Sequence, residues 1–256
     1  MVKIVIILVA CLFAFQLQAS DLGKEQRWAD QIVDSILDGE TVWLEADGNR
    51  FLSIFTPDEN EVLEYGVIVM HGTGIHPNWD QVVRPLRVEL TTMGWSTLSI
   101  QMPILANDAE HDDYAALYPE VAPRINAAID YLKSLGVQRL FLVAHSQGSL
   151  MASYYLSHSG DAALKGFVAI GMPGGSKYPA MNSLLTLGKF HLPVLDLYGS
   201  EDLEQVLANI DTKRKAALSV GAREFEQIKI EGANHFFDGR NDILIETVHR
   251  WLAGHR

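Results

Sequence analysis

Short apolar segments alternate with longer amphipathic segments from residue 66 onward. The apolar segments span residues 67–70, 96–100, 140–143, 167–170, 194–198 and 226–230. Most of them are continuous apolar runs, as in parallel strands that are covered on both faces. The amphipathic segments show helical spacing and span residues 79–93, 119–135, 147–158, 202–219 and 240–253. This alternation predicts an α/β fold with a doubly wound, mostly parallel sheet. No linker interrupts it, so residues 20–256 are predicted to form one domain.

Two elements are predicted before this alternation begins. Residues 22–38 place apolar side chains on one helical stripe and end at Gly39, which predicts an N-terminal helix. Its polar face is acidic, which favours packing on the domain over an alternative position at a membrane surface. Residues 41–44 and 51–55 flank a turn that contains Gly48, which predicts a hairpin.

The first 19 residues have the pattern of a secretory signal peptide. Lys3 precedes an apolar run over residues 4–15, and Ala19 offers a small residue for cleavage. The run is shorter than the roughly 20 residues that span a bilayer, so no stable membrane span is expected after cleavage. The protein is therefore predicted to be exported, to the periplasm or beyond. Cys11 is the only cysteine, and lipid attachment to it is a less favoured alternative.

The net charge of the chain limits the kinds of molecule that it is expected to bind. The chain has 256 residues, with 20 basic and 32 acidic side chains and a formal net charge of −12. An acidic surface without a basic run repels phosphate backbones, so nucleic-acid binding is not expected. A small-molecule or lipid-like substrate is compatible with this composition.

One serine follows a strand directly and precedes a helix. The segment from Ala144 to Gly148 places Ser146 at a sharp turn between the strand over 140–143 and the helix over 147–158. Small residues two before and two after the serine permit strand and helix to approach closely, and the turn exposes the hydroxyl above the sheet. The amide groups at the start of the helix favour negative charge beside the serine.

This serine turn and its context resemble the α/β-hydrolase superfamily over about residues 60–254, in the order serine, acid, histidine. The resemblance implies that the loop beginning His71-Gly72-Thr73-Gly74 forms an oxyanion hole with the backbone N–H groups of Thr73 and Gln147. A narrower resemblance links the loop over residues 71–79 to an uncharacterised family of exported bacterial α/β-hydrolases.

The resemblance also implies the other two members of a catalytic triad. Asp202 follows the strand over 194–198 at the position of the family's acid, with Asp196 and Glu201 as alternatives. His235 lies between the last strand and the last helix, at the position of the general base.

Other side chains near these motifs are candidates for different roles. His76, Trp79 and His145 are possible substrate contacts, although anchoring or shaping of loops is the favoured role for both histidines. The remaining histidines lack metal-binding spacing, so neither a metal nor a cofactor is predicted.

The sequence thus predicts an exported serine hydrolase that acts on a carboxylic ester or thioester, of carboxylesterase, lipase or thioesterase type. An acyltransferase with the same triad, or a non-catalytic binding module in the cell envelope, are the alternatives. Residues 171–191 are predicted to form only a minimal lid. Its leucines either line an open apolar mouth or pack on the sheet.

Overall fold

The computed structural model describes residues 20–160, 162–221 and 224–256. The predicted signal peptide, residues 1–19, lies outside the described residues. Within these ranges, eight strands form one sheet in the order β1-β2-β4-β3-β5-β6-β7-β8. The strands are β1 Glu40–Ala46, β2 Asn49–Thr56, β3 Tyr65–Met70, β4 Ser96–Ile100, β5 Arg139–His145, β6 Leu164–Ile170, β7 Val194–Glu201 and β8 Phe225–Asn234.

Strand direction confirms the predicted doubly wound, mostly parallel sheet. The β1–β2 hairpin is antiparallel, β2 pairs antiparallel with β4, and every later pairing is parallel. The α-helices are α1 Leu22–Val33, α2 Val83–Glu89, α3 Val121–Ser134, α4 Gln147–Ser159, α5 Ser183–Thr186, α6 Glu204–Leu207, α7 Ile210–Leu218 and α8 Asn241–Gly254. No helix among the described residues is long and apolar enough to cross a bilayer.

Both faces of the sheet are covered. Ile68 and Met70 of β3 belong to the core that includes α3 and α4, whereas Val67 and Val69 belong to the core that includes α2 and α8. Adjacent side chains of a strand point to opposite faces. Burial of both faces therefore explains the continuous apolar runs in the sequence.

Helix α1 is shorter than predicted. It ends at Val33, and Leu37, which was expected on its packed stripe, is 86% exposed. The Ser35 hydroxyl donates to the backbone oxygen of Gln31 at 2.7 Å. Serine and aspartate compete in this way for backbone groups, which disfavours continuation of a helix.

Two other helices also differ from their predicted ranges. Helix α2 begins at Val83 rather than at 79, because Pro85 has no N–H to donate to residue 81 and is tolerated only in a first turn. The helix predicted over 202–219 is two helices, α6 and α7, separated around Asn209. The Asn209 side chain donates back to the Gln205 carbonyl and competes with helical bonding.

The segment between β6 and β7 is a small lid, as predicted. It contains α5 and two single 3₁₀ turns, at Pro179–Met181 and Leu187–Lys189. Met181 and Leu187 are buried in the core that includes α3 and α4, whereas Leu185 is exposed. Most of the apolar content of the lid therefore packs on the domain.

Candidate active site

Ser146 occupies a strained turn between β5 and α4. Its backbone has φ 54° and ψ −122°, a region that residues other than glycine rarely adopt. A Cβ atom at Gly148 would lie 2.4 Å from the His71 carbonyl oxygen, so only glycine fits where α4 passes the end of β3. The Ser146 N–H donates to the Ile170 carbonyl at 2.8 Å, which ties the turn to β6.

His235 and Asp202 complete a hydrogen-bonded series with this serine. The Ser146 Oγ lies 2.9 Å from His235 Nε2, and His235 Nδ1 lies 2.6 Å from Asp202 Oδ1. A carboxylate only accepts, so Nδ1 carries the proton and Nε2 accepts from the serine hydroxyl. The three residues follow β5, β7 and β8, whose carboxyl ends meet at one edge of the sheet.

The environment of Asp202 keeps it ionised. Burial by itself would raise its pKa, but the hydrogen bond and charge of His235 outweigh this effect, together with the N–H groups of Leu203 and Gly199. The pKa of Asp202 is therefore lowered from its ordinary value. Gly199 permits this loop because a Cβ there would lie 2.1 Å from the Ala233 carbonyl oxygen.

The two alternative acids are placed elsewhere. Asp196 is fully buried and accepts from Lys213 Nζ at 2.8 Å and from Gln227 Nε2 at 2.9 Å. Lys213 also donates to the Met172 carbonyl at 3.0 Å. Glu201 is exposed at the end of β7. The carboxylate that contacts His235 is thus that of Asp202.

The loop that carries His235 is held from two sides. The His145 Nε2–H donates to the His235 carbonyl at 2.9 Å, and the two rings lie 4.8 Å apart. Burial, together with the charge of His235, lowers the pKa of His145 to about 4, so its ring is neutral at pH 7. On the other side, the Asn234 side chain accepts from the Phe236 N–H at 3.0 Å.

The loop that carries His235 is also hydrogen-bonded to the segment that follows the predicted oxyanion loop. The sequence did not indicate this series of hydrogen bonds. Trp79 Nε1 donates to Gln81 Oε1 at 3.2 Å, and Gln81 Nε2 donates to Asp238 Oδ1 at 2.5 Å. Asp238 Oδ2 then accepts from Asn234 Nδ2 at 2.9 Å. Gln81 and Asp238 are 157 positions apart, and no local pattern pairs them.

His71 holds the predicted oxyanion loop in place. Its Nδ1–H donates to the Gly72 carbonyl, and its Nε2 accepts from the Met102 N–H, both at 2.9 Å. Burial lowers the pKa of His71 to about 3, which keeps the ring neutral as these bonds require. Within the described chain, the backbone N–H groups of Thr73 and Gln147 have no hydrogen-bond partner.

A cavity of about 260 Å³ opens beside Ser146 and His235. Its apolar lining consists of Ile75, Pro173, Leu203 and Phe236, and polar groups come from Gly72, Thr73, His111, His145 and Gln205. Lysine, arginine, aspartate and glutamate are absent from the described lining. Of the three predicted substrate contacts, His145 lines this cavity.

His76 and Trp79 lie outside the cavity lining. The His76 ring packs edge-on between Trp28 of α1 and Trp79, with ring centroids 5.3 and 5.4 Å away. The carbonyl oxygen of Pro77 accepts from the Ser99 hydroxyl at 2.8 Å, which ties this segment to β4. The chain therefore leaves the cavity after Ile75, and the two rings anchor the loop. No group of three metal-ligating side chains occurs in the part of the chain that is described.

Comparisons with known proteins agree with this architecture. A family model described as "Protein of unknown function (DUF3530)" matches residues 21–124 and 108–254. No curated protein matches the sequence.

Solved structures share the fold at low identity. Est1E from Butyrivibrio proteoclasticus has a TM-score of 0.66 at 16% identity, over 84% of this chain and 98% of that chain. An alpha-beta serine hydrolase homologue from Coxiella burnetii has a TM-score of 0.63 at 19% identity, over 85% and 99%. A carboxyl esterase from Bacillus coagulans has a TM-score of 0.66 at 11% identity, over 86% and 99%. The chain thus has the α/β-hydrolase fold, as the sequence resemblance implied.

Proposed function

We propose that this chain, which belongs to the DUF3530 family, is a serine hydrolase that cleaves a carboxylic ester or thioester through an acyl-enzyme. The observation that carries the proposal is the series from Ser146 Oγ through His235 to Asp202, at 2.9 and 2.6 Å, on a cavity. Several solved structures that share the fold are described as esterases or hydrolases.

The geometry supports a two-step reaction. The Ser146 Oγ attacks the substrate carbonyl while His235 Nε2 takes the hydroxyl proton, and Asp202 stabilises the resulting imidazolium. The backbone N–H groups of Thr73 and Gln147 stabilise the oxyanion, a contribution of about 10²–10³-fold in rate for each donor. His235 then returns its proton to the leaving oxygen or sulfur. A water molecule, deprotonated by His235, attacks the acyl-enzyme and releases the acid and Ser146.

The cavity favours a short, uncharged acyl or aryl group. Its volume of about 260 Å³ lies just below the roughly 300–1,000 Å³ that is typical of small-molecule sites. Leu203 and Phe236 supply apolar surface, and the described lining offers no charged side chain to bind an ionised acyl group. We further infer from the N-terminal signal pattern that the enzyme acts outside the cytoplasm.

The decisive experiment is labelling of the purified protein by a fluorophosphonate, followed by intact mass. We expect a single adduct that disappears in Ser146→Ala and persists in Ser157→Ala, a control on the same helix. Absence of an adduct on folded wild-type protein, or its persistence in Ser146→Ala, contradicts the proposal. An ester and thioester series of increasing acyl length then defines the substrate class, and added alcohol tests for acyl transfer.

A further inference from the structure

The first described residue is bound inside the domain. The Ser20 N–H donates to Glu120 Oε1 at 3.0 Å, and the Ser20 hydroxyl donates to Glu120 Oε2 at 2.6 Å. The next N–H, that of Asp21, donates to the Ile104 carbonyl at 2.7 Å. Ser20 is only 9% exposed. The residue that directly follows the predicted cleavage position is therefore fixed by one buried carboxylate.

That carboxylate belongs to a buried charged cluster, which we define as Glu25, Glu120 and Arg124. Arg124 bonds both carboxylate oxygens of Glu25, at 2.9 and 3.1 Å, and its Nη2 lies 3.6 Å from Glu120 Oε2. All three side chains are at most 10% exposed. The cluster thus holds two carboxylates and one guanidinium, and burial raises the pKa of Glu25 despite its pairing with Arg124. An ammonium group on Ser20 would place a cation within hydrogen-bonding distance of the Glu120 carboxylate.

We propose that this cluster is a binding site for the protein's own processed amino terminus. Hydrolysis of the peptide bond between Ala19 and Ser20, by an endopeptidase that cuts after small residues, leaves a carboxylate on Ala19 and an α-ammonium on Ser20. In the uncut chain the Ser20 nitrogen is an amide that donates to Glu120 at 3.0 Å. After the cut, the same nitrogen donates as a positively charged ammonium group. A charge-assisted hydrogen bond of this kind is about twice as strong as a neutral one.

The cluster also contacts the segment that holds the oxyanion loop. Arg124 Nη1 donates to the Gln101 carbonyl at 2.9 Å, and Gln101 Nε2 lies 2.9 Å from His71 Nε2. The bound amino terminus therefore stabilises the domain close to the candidate active site. Because Ser20 is buried, the endopeptidase must act before the domain folds, as it does when a chain is cut during export.

The first test is the intact mass of the product exported by cells that express the full chain. We expect a protein that begins at Ser20. A product that begins at another residue, or that keeps residues 1–19, overturns the proposal.

The second test compares the thermal stability of this processed protein with that of the uncut full chain made in a membrane-free cell extract. We expect a Tm about 5 °C lower for the uncut chain, in which the ammonium is replaced by an amide. Glu120→Gln should remove most of this difference, whereas Glu226→Gln, at an exposed position, should preserve it. A difference that survives Glu120→Gln intact shows that the ammonium is not bound there.

A third measurement does not require the Glu120 variant to fold. The α-amine of the processed wild-type protein should react with an acylating reagent at least about tenfold more slowly when folded than in urea, since burial shields the nitrogen and the Glu120 carboxylate keeps it protonated. Equal rates overturn the proposal. None of these tests uses hydrolase activity, so their outcome is independent of the proposed reaction.

Discussion

Asp202 and Asp196 lie six positions apart, on the same strand and the loop that follows it. Replacing Asp202 by asparagine should lower the reaction rate, whereas replacing Asp196 should lower the stability of the fold. Asp202→Asn preserves shape but replaces an acceptor with an amide that can donate to His235 Nδ1. The ring then carries its proton on Nε2 and cannot accept from Ser146. Asp196→Asn leaves the contacts among Ser146, His235 and Asp202 unchanged but removes the charge that faces Lys213 at 2.8 Å.

The magnitudes follow from these contacts. Loss of the correct histidine tautomer costs about 10⁴-fold in rate, which corresponds to about 5.5 kcal/mol. Lys213 and Asp196 are both 0% exposed, and breaking a buried ion pair costs about 3–5 kcal/mol of stability. For a domain of this size, that loss lowers Tm by roughly 6–20 °C.

The assay is the fluorophosphonate labelling rate of folded protein at 25 °C, measured beside the Tm of each variant. We expect Asp202→Asn to keep a near-native Tm and lose at least about 10³-fold in rate. Asp196→Asn should lose stability and keep a rate within about tenfold of wild type while folded. A rate for Asp202→Asn within tenfold of wild type, or a folded Asp196→Asn with a 10³-fold loss, would refute the assignment of the triad acid.

Three further predictions concern the support of the site. Gly148→Ala places a Cβ 2.4 Å from the His71 carbonyl oxygen and should slow labelling by about 10²-fold, whereas Gly175→Ala, whose Cβ would meet Leu184 at 3.6 Å, should match wild type. The pKa of His71 is lowered to about 3, so only the unfolded chain takes up its proton below about pH 6.5. The free energy of unfolding, measured with urea, should therefore fall by about 2 kcal/mol on account of His71 when the pH is lowered from 6.5 to 5. The His71→Asn variant should lack this part of the loss. Leu203→Ala widens the cavity and should raise hydrolysis of longer acyl esters about tenfold relative to acetate esters; unchanged chain-length preference would contradict the proposed acyl site.

Much of the site was predictable because each motif is local to one strand and the loop after it. The turn at Ser146 needs only the strand before it, the helix after it and the small residues Ala144 and Gly148. In a parallel sheet the loops that follow the strands gather at one edge. Strand order along the chain was therefore enough to bring Ser146, Asp202 and His235 into one candidate site.

Local reasoning left alternatives open where two distant segments decide the outcome. His76 and Trp79 follow the oxyanion motif directly, but their rings pack with Trp28 of α1 instead of lining the cavity. Likewise, nothing near Asp196 in the sequence shows that Lys213 of α7 neutralises it. Such contacts depend on how helices pack against the sheet, and their partners have no fixed sequence spacing.

The sequence by itself determined the alternation of strands and helices, the single sheet and the order of the candidate triad. The spacing of apolar residues and the residue types of turns, on which these features depend, are properties of short segments. The tertiary structure alone decided which carboxylate faces His235, which aromatic rings stay outside the cavity and where Ser20 is bound. Those outcomes depend on side chains that meet across long separations, as with Ser20 and Glu120, 100 positions apart. Only packing in three dimensions fixes such pairs.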